Sequence, residues 1–525
     1  MVPPPRPPDP RRSHLSKAAP LLAITVLAAA RHPAIEAASA PRPDVPKTWD
    51  QAAITSVTIP LATRGASPVP ISADYYYRMP VRPVYRSYPV YAPAREPRGY
   101  LDSLRRLNPE IVFDAATLAT ETDWTKAGEL VFDAPIAFEG EPLEIARLAF
   151  VRDPAWYRAT GVPVTKDGIM PFARYIIRKP GVVEVGSLAC AMCHTRVMAD
   201  GTVIKGAQGN FPFDRAIAAL LRAKLAGSGN ERAVVEEERA AQRMLFRAPW
   251  LPDDRAARSD QMSLAEILAG YEAIPPGVAA RHGTGVWSPV QIPDLIGIRD
   301  RKYLDRTGLV RHRGVGDVMR YAALNQDADL LSQYGDFRPI EVVFGKMPDP
   351  EQLSRYSDEQ LYALALYLYS LKPPPNPNPF DSLARRGQEV FQREGCGRCH
   401  TPPLYTSNKL TPARGFVVLE RDARQLDIEP LSVGTDPALT LLTRRGTGYY
   451  KVPSLKGVWY RGPLEHNGSV AALEDWFDSR RTFGDYVPTG FRGAGVTARA
   501  IVGHPFGLGL SDSERAALIA FLRTL

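Results

Sequence analysis

Two short segments, Cys190-Ala-Met-Cys193-His194 and Cys396-Gly-Arg-Cys399-His400, take up all four cysteines of this 525-residue chain. C-x-x-C-H is the spacing of covalent haem c attachment: each thiol forms a thioether to one edge of a porphyrin, and the histidine lies beneath the iron as its proximal ligand. The sequence therefore predicts two covalently bound haem c groups, held by Cys190, Cys193 and His194 and by Cys396, Cys399 and His400. A four-thiolate zinc site explains less. Zinc ribbons separate their cysteine pairs by about 15–20 residues, whereas more than a third of the chain separates these two. Two disulfides or a thioredoxin-like redox pair would leave the histidine after each pair unexplained.

The N-terminus fits the compartment that such attachment requires. Arg6, Arg11, Arg12 and Lys17 precede an apolar run from Ala18 to Ala30, and small residues continue to Ala40. This is the shape of a secretory signal peptide over residues 1–40, cleaved between Ala30 and Ala40. The run is shorter than the roughly 20 residues a membrane-crossing helix needs, although an uncleaved anchor is the alternative. No later segment is long and apolar enough to span a bilayer, so a periplasmic or secreted protein is expected, with no membrane span after cleavage. The formal charge of +8 falls to +5 once the five Lys/Arg and two Asp/Glu of residues 1–40 are removed, and haem propionates would lower it further. Nothing in that balance calls for nucleic acid as a partner.

Residues 41–100 are rich in proline, tyrosine and arginine, as in Tyr75-Tyr-Tyr-Arg-Met-Pro80. Proline argues against long helices and the aromatics against a free linker, so an extended arm over the body is expected. Ser357-Asp-Glu-Gln360 and Ser511-Asp-Ser-Glu514 each match a helix capping box and open an apolar run with helical spacing. Cytochrome c domains commonly end in such a helix. The first is followed by Pro373-Pro-Pro-Asn-Pro-Asn-Pro379, a stiff spacer that cannot continue a helix. The expected organisation is thus mainly α, with two cytochrome c-type haem domains: an atypical domain at 101–372, a proline-rich linker at 373–379, and a class I-like domain at 380–525.

The second domain opens with an amphipathic helix, Ser382 to Arg393, that leads to Cys396. The first domain departs from this order. Before Cys190 the chain reads Arg174-Tyr-Ile-Ile-Arg-Lys-Pro-Gly-Val-Val-Glu-Val185, β-branched and broken by Pro180-Gly181, which predicts a hairpin. Helical patterns return beyond Phe213, including a capping box at Ser263–Glu266. Haem one is therefore expected in an enlarged, irregular setting.

The sixth iron ligand separates an electron carrier from a reactive site. No methionine follows His400, so His504 is the first candidate for haem two and His466 the alternative. For haem one the field is His282, His312, Met198, Met244, Met262, Met319 and Met347, or an open position. Met198 lies too soon after His194 to cross readily to the opposite haem face, and spacing ranks none of the others.

Lys451-Val-Pro-Ser-Leu-Lys-Gly-Val-Trp-Tyr460, with His466-Asn-Gly-Ser-Val470 and Leu473, resembles the corresponding stretch of di-haem cytochrome c peroxidases and MauG-like proteins. The resemblance covers the last part of the chain well and the first haem motif only loosely. In those peroxidases a methionine shortly past the histidine ligates the electron-transfer haem; here that neighbourhood is Asp478-Ser-Arg-Arg481. The closing Gly503-His-Pro-Phe-Gly507 is more similar to the rubber-oxygenase branch, which implies His504 as second ligand of haem two and an oxygen-binding haem one. The resemblance also implies a tryptophan between the haems, for which Trp287 is the candidate, and an acidic residue that cleaves O–O, for which Glu184 is the candidate. Together these imply an exported di-haem oxidoreductase: haem two relays electrons, haem one meets peroxide or oxygen, and a small redox protein or other donor or acceptor is the partner. The competing readings are a pure electron-transfer cytochrome and a haem-bearing subunit of a larger dehydrogenase.

Overall fold

Four helices carry the plan of the molecule, which is a computed structural model describing residues 43–281 and 283–525. The expected signal peptide and His282 lie outside the described residues. Helix α1 (Glu121–Asp133) packs on α2 (Asp358–Ser370), and α3 (Ser382–Arg393) packs on α4 (Asp512–Arg523). The capping boxes read from Ser357 and Ser511 are formed: the Gln360 N–H donates to Ser357 Oγ at 3.1 Å, and the Glu514 N–H to Ser511 Oγ at 3.4 Å. Each satisfies backbone donors that the first turn leaves without partners.

The two helix pairs touch in the same way. Gly128 of α1 lies against the backbone of Ala363 and the Cβ of Tyr367; Gly387 of α3 lies against Ala517 and the Cβ of Phe521. Three residues beyond each glycine comes a Val-Phe pair, Val131-Phe132 and Val390-Phe391, and the phenylalanine meets the aromatic ring of the partner helix at 5.2 Å and 5.3 Å respectively. The first half thus repeats the helix pair of the second, with strands of a sheet inserted in the chain between α1 and Cys190.

That insertion contains the expected hairpin. Strands β1 (Ser87–Tyr91), β2 (Ala137–Phe138), β3 (Ile169–Lys179) and β4 (Val182–Ser187) form an antiparallel sheet in the order β1-β3-β4-β2. Pro180-Gly181 makes the turn, with Gly181 at φ +80°, where a side chain would strain the backbone. Most of β3 is buried on both faces, which explains its β-branched, non-alternating sequence. Four two-stranded sheets accompany it among the described residues, so strand content goes beyond the single hairpin expected from sequence.

Residues 43–100 are extended for much of their length but also build core. Short helices at Gln51–Val57 and Ala73–Arg78 bring the Trp49 and Tyr76 rings into a stack at 4.4 Å, both buried. The Pro373–Pro379 spacer has no regular structure and is largely exposed; the Asn376 amide tethers it to the carbonyl of Arg523 at 2.8 Å. Among the described residues no helix is long and apolar enough to cross a membrane.

Candidate functional site

Helix α3 ends at Arg393, and Gly395, with φ of +73°, turns the chain into the tight turn Cys396–Arg398. The His400 N–H donates to the carbonyl of Cys396 at 2.9 Å, and its ring Nδ1 lies 3.1 Å from the Pro453 carbonyl and 3.3 Å from that of Tyr405. With Nδ1–H given to carbonyls, Nε2 is left with its lone pair free. Burial lowers the imidazole to about 4, which keeps it neutral and able to ligate.

The ring facing His400 is His504, with centroids 6.3 Å apart and planes inclined at 53°. Imidazole nitrogens lie about 2.0–2.1 Å from a bound transition metal, so two imidazoles on opposite sides of one metal place their centroids about 6 Å apart. This pair fits one iron between them. The loop that brings His504 across is held in an unusual conformation, with Gly503 at φ +88° and His504 at +47°. Arg481, almost wholly buried, holds it there: its guanidinium donates to the carbonyls of Trp476, Ile501, Gly503 and His504 at 2.7–3.1 Å. The Trp476 and Phe506 rings meet His504 edge-on at 5.2 and 5.4 Å. Burial and the nearby His400 and Arg481 lower His504 to about 3, so it too is neutral.

At the first motif Cys190–Cys193 forms one helical turn, and the His194 N–H donates to the Cys190 carbonyl at 2.9 Å. His194 Nδ1 lies 3.0 Å from the carbonyl of Pro293, and burial lowers the ring to about 4. The amide of Gln326 approaches Cys190 Sγ and the guanidinium of Arg281 approaches Cys193 Sγ, each at 3.9 Å. Beside Gln326 a helical kink sets Asp327 at φ +80°, and burial raises its carboxyl. Burial also raises the Cys190 thiol to about 12 and that of Cys396 to about 11, the reverse of a reactive redox thiolate. Among the described residues no three Cys, His, Asp or Glu side chains converge, so the four-thiolate zinc reading has no geometry here.

Residues 291–310 and 451–470 are two copies of one unit. Pro293-Asp-Leu and Pro453-Ser-Leu give the carbonyls that orient His194 and His400. Gly297 and Gly457 both have φ +73°; Asp305 and Glu465 have φ +69° and +72°; Leu304 pairs with Val310 as Leu464 pairs with Val470. His466 therefore stands where the first copy has Arg306. Its ring packs on Tyr450 at 4.9 Å with Nδ1 against the Glu465 carboxylate. The copies are joined directly: the Tyr460 hydroxyl donates to Asp294 at 2.9 Å, and Gln291 and Gln208 both donate to the Pro463 carbonyl.

The other residues singled out from sequence are dispersed. Trp287 packs against the apolar cluster that contains Ile267, Val286 and Phe491, with Arg258 over its ring at 5.8 Å. Both Glu184 carboxylate oxygens accept from Arg178 within the hairpin. His312 has both ring nitrogens engaged, with the Arg301 carbonyl and the Tyr369 hydroxyl at 2.5 and 2.6 Å. Met198, Met244, Met262, Met319 and Met347 lie in or against apolar clusters, Met244 and Met319 in the one that also reaches Cys190. Among the described residues, the second motif alone has a histidine ring facing its own histidine. Sequence reasoning missed Arg481 and the doubled Pro-x-Leu-x-Gly unit; the second was visible as an internal repeat.

No family model matches the sequence, and no curated protein matches it. Among solved structures, partial similarity is found to hydrazine synthase of Kuenenia stuttgartiensis, at 17% identity over 54% of this chain and 85% of that one, with a TM-score of 0.26. A MauG-like protein associated with microbial copper homeostasis is similar at 18% identity over 32% of this chain and 56% of that one, with a TM-score of 0.21. At those scores neither likeness carries an argument about this chain.

Proposed function

We propose that this chain is an exported di-haem c-type oxidoreductase whose second site relays electrons and whose first site meets peroxide or oxygen. The observation that carries the reading is the facing pair His400–His504, 6.3 Å apart, directly after a C-x-x-C-H motif that occurs twice. Haem, when bound, supplies an iron that exchanges single electrons and, where its sixth position is free, takes up a small ligand.

The chain's own residues divide the labour. Pro453 and Pro293 fix the tautomer of His400 and His194 by accepting from Nδ1, which leaves each Nε2 as a ligand. Arg481 fixes the His504 loop, so the second site is closed from both sides and suits electron transfer. The first site has no facing histidine among the described residues, while the amide of Gln326 comes within 3.9 Å of Cys190 Sγ. That amide suits hydrogen bonding to a small oxygen ligand. A small redox protein, or another donor or acceptor, would exchange electrons with the second site.

Electron paramagnetic resonance at graded reduction tests the reading. One low-spin and one high-spin ferric centre support it; two low-spin centres at every stage would leave only an electron carrier.

A further inference from the structure

A narrow cleft, with a cavity volume of about 30 Å³, opens between the two copies of the repeated unit. Pro293 and Pro453, the two prolines that orient the histidines, both line it. So do five cations: Lys409, which pairs with Glu429 at 3.0 Å, and the half-buried Arg301, Arg306, Lys451 and Arg461, the four that matter here. Arg301 and Arg461 occupy equivalent positions in the two copies. Each donates to the carbonyl of the residue after its proline, Asp294 or Ser454.

The protein supplies too little negative charge for these four. Asp294 is the carboxylate in the cleft, 4.0 Å from Arg461 and already accepting from Tyr460. Asp305 lies nearby, but Arg445 engages it at 3.6 Å. Among the described residues, Arg301, Arg306 and Lys451 form no ion pair, and the Arg306 guanidinium reaches only the Gln291 carbonyl, at 3.3 Å. Burial and the neighbouring guanidiniums lower Lys451 far below its usual value and Arg306 to about 10. Like charges withdrawn from water and left facing one another are costly unless an anion joins them.

We propose that the cleft is a carboxylate site filled by the propionates of the two haems, with Arg301, Arg306, Lys451 and Arg461 as their counter-charges. This rests on the di-haem reading. It adds that the two sites share one electrostatic seam, so that a single cation influences both irons. The same charges could instead hold a free oxyanion, and the test separates these sources.

The experiment uses the full-length protein matured with haem, comparing wild type with Lys451→Met, Arg306→Met and the charge-preserving Lys451→Arg. Haem content is read by absorbance, both midpoint potentials by spectroelectrochemistry at fixed pH and salt, and inorganic phosphate binding by calorimetry. Removing a positive charge beside the irons favours the oxidised state. Both potentials should therefore fall in each methionine variant, by a shift on the order of tenfold in the oxidised-to-reduced ratio, about 59 mV for one electron. Lys451→Arg should keep the wild-type values, and wild type should bind no phosphate. Should Lys451→Met fail to fold, Arg306→Met is read by the same criterion. Unmoved potentials in a di-haem protein would overturn the cleft proposal alone, as would stoichiometric phosphate binding lost in Lys451→Met. A protein with no thioether-bound haem would overturn the di-haem reading itself.

Discussion

Replacing Gly387 by alanine tests whether helices α3 and α4 meet as closely as the fold requires. A Cβ there would lie 1.9 Å from the Ala517 carbonyl oxygen, 2.5 Å from its carbon and 2.8 Å from the Cβ of Phe521. Ordinary carbon–oxygen contacts begin near 3.3 Å, so the helices must part by roughly 1.4 Å at that level. A gap of that size forfeits much of the dispersion attraction along the seam, and overpacking of this kind costs about 1–3 kcal/mol or more. The substitution alone would favour a helix by about 0.5–1 kcal/mol. With overpacking at the upper end of that range, about 3 kcal/mol, the net expectation is a loss of about 2–2.5 kcal/mol, or about 4–10 °C in the midpoint of thermal unfolding. Gly128→Ala should behave alike, because its Cβ would lie 2.0 Å from the Ala363 oxygen and 2.8 Å from the Cβ of Tyr367. Gly227, helical with nothing within 4 Å of a Cβ, is the control, and alanine there should raise the midpoint slightly. Circular dichroism melts of the three variants suffice. If Gly387→Ala melted at or above wild type, the close helix crossing would be wrong.

Asp214 is buried, and burial raises its carboxyl to about 7. A carboxyl raised on folding binds its proton more tightly in the folded state, so stability is lost as pH rises from the unfolded value, about 4, through about 7. Asp214→Asn should remove that slope, worth roughly 4 kcal/mol across the window, and denaturant titrations at pH 4.5 and 8 would reveal a slope that persists. Arg445→Leu should cost about 3–5 kcal/mol, because Asp329, 2.7 Å away, would be left buried without its counter-charge; urea unfolding reads it, and a change under 1 kcal/mol would contradict the pairing. Arg481→Met should loosen the His504 loop without unfolding the protein, which absorbance and circular dichroism recorded together can separate: the low-spin signal of the second haem weakens while the far-ultraviolet spectrum holds.

What the sequence revealed depended on how local the cause was. The capping boxes at Ser263, Ser357 and Ser511 and the Pro180-Gly181 turn are settled within a few residues, and each stands where local chemistry puts it. Helix Ser382–Arg393 was legible for the same reason. The kinship of helix α1 with α3 is masked in the sequence because a sheet separates α1 from Cys190, although Gly128 with Val131-Phe132 and Gly387 with Val390-Phe391 repeat one pattern. The arm at 43–100 shows the opposite limit. Its prolines do exclude long helices, but the contacts that fix it, such as the Tyr75 hydroxyl to the Pro348 carbonyl at 2.6 Å, join distant segments that no local pattern connects. In the sequence Arg481 marks only the absence of a methionine, since a buried arginine that organises four carbonyls has no signature in spacing.

The central claim is that His400 and His504 share one iron, and the spectrum of His504→Ala tests it most directly. With His466→Ala as the companion variant, electron paramagnetic resonance of the oxidised, di-haem protein should show the second haem converted to high spin in His504→Ala and unchanged in His466→Ala. A low-spin signal that survives in His504→Ala and disappears in His466→Ala would contradict the account.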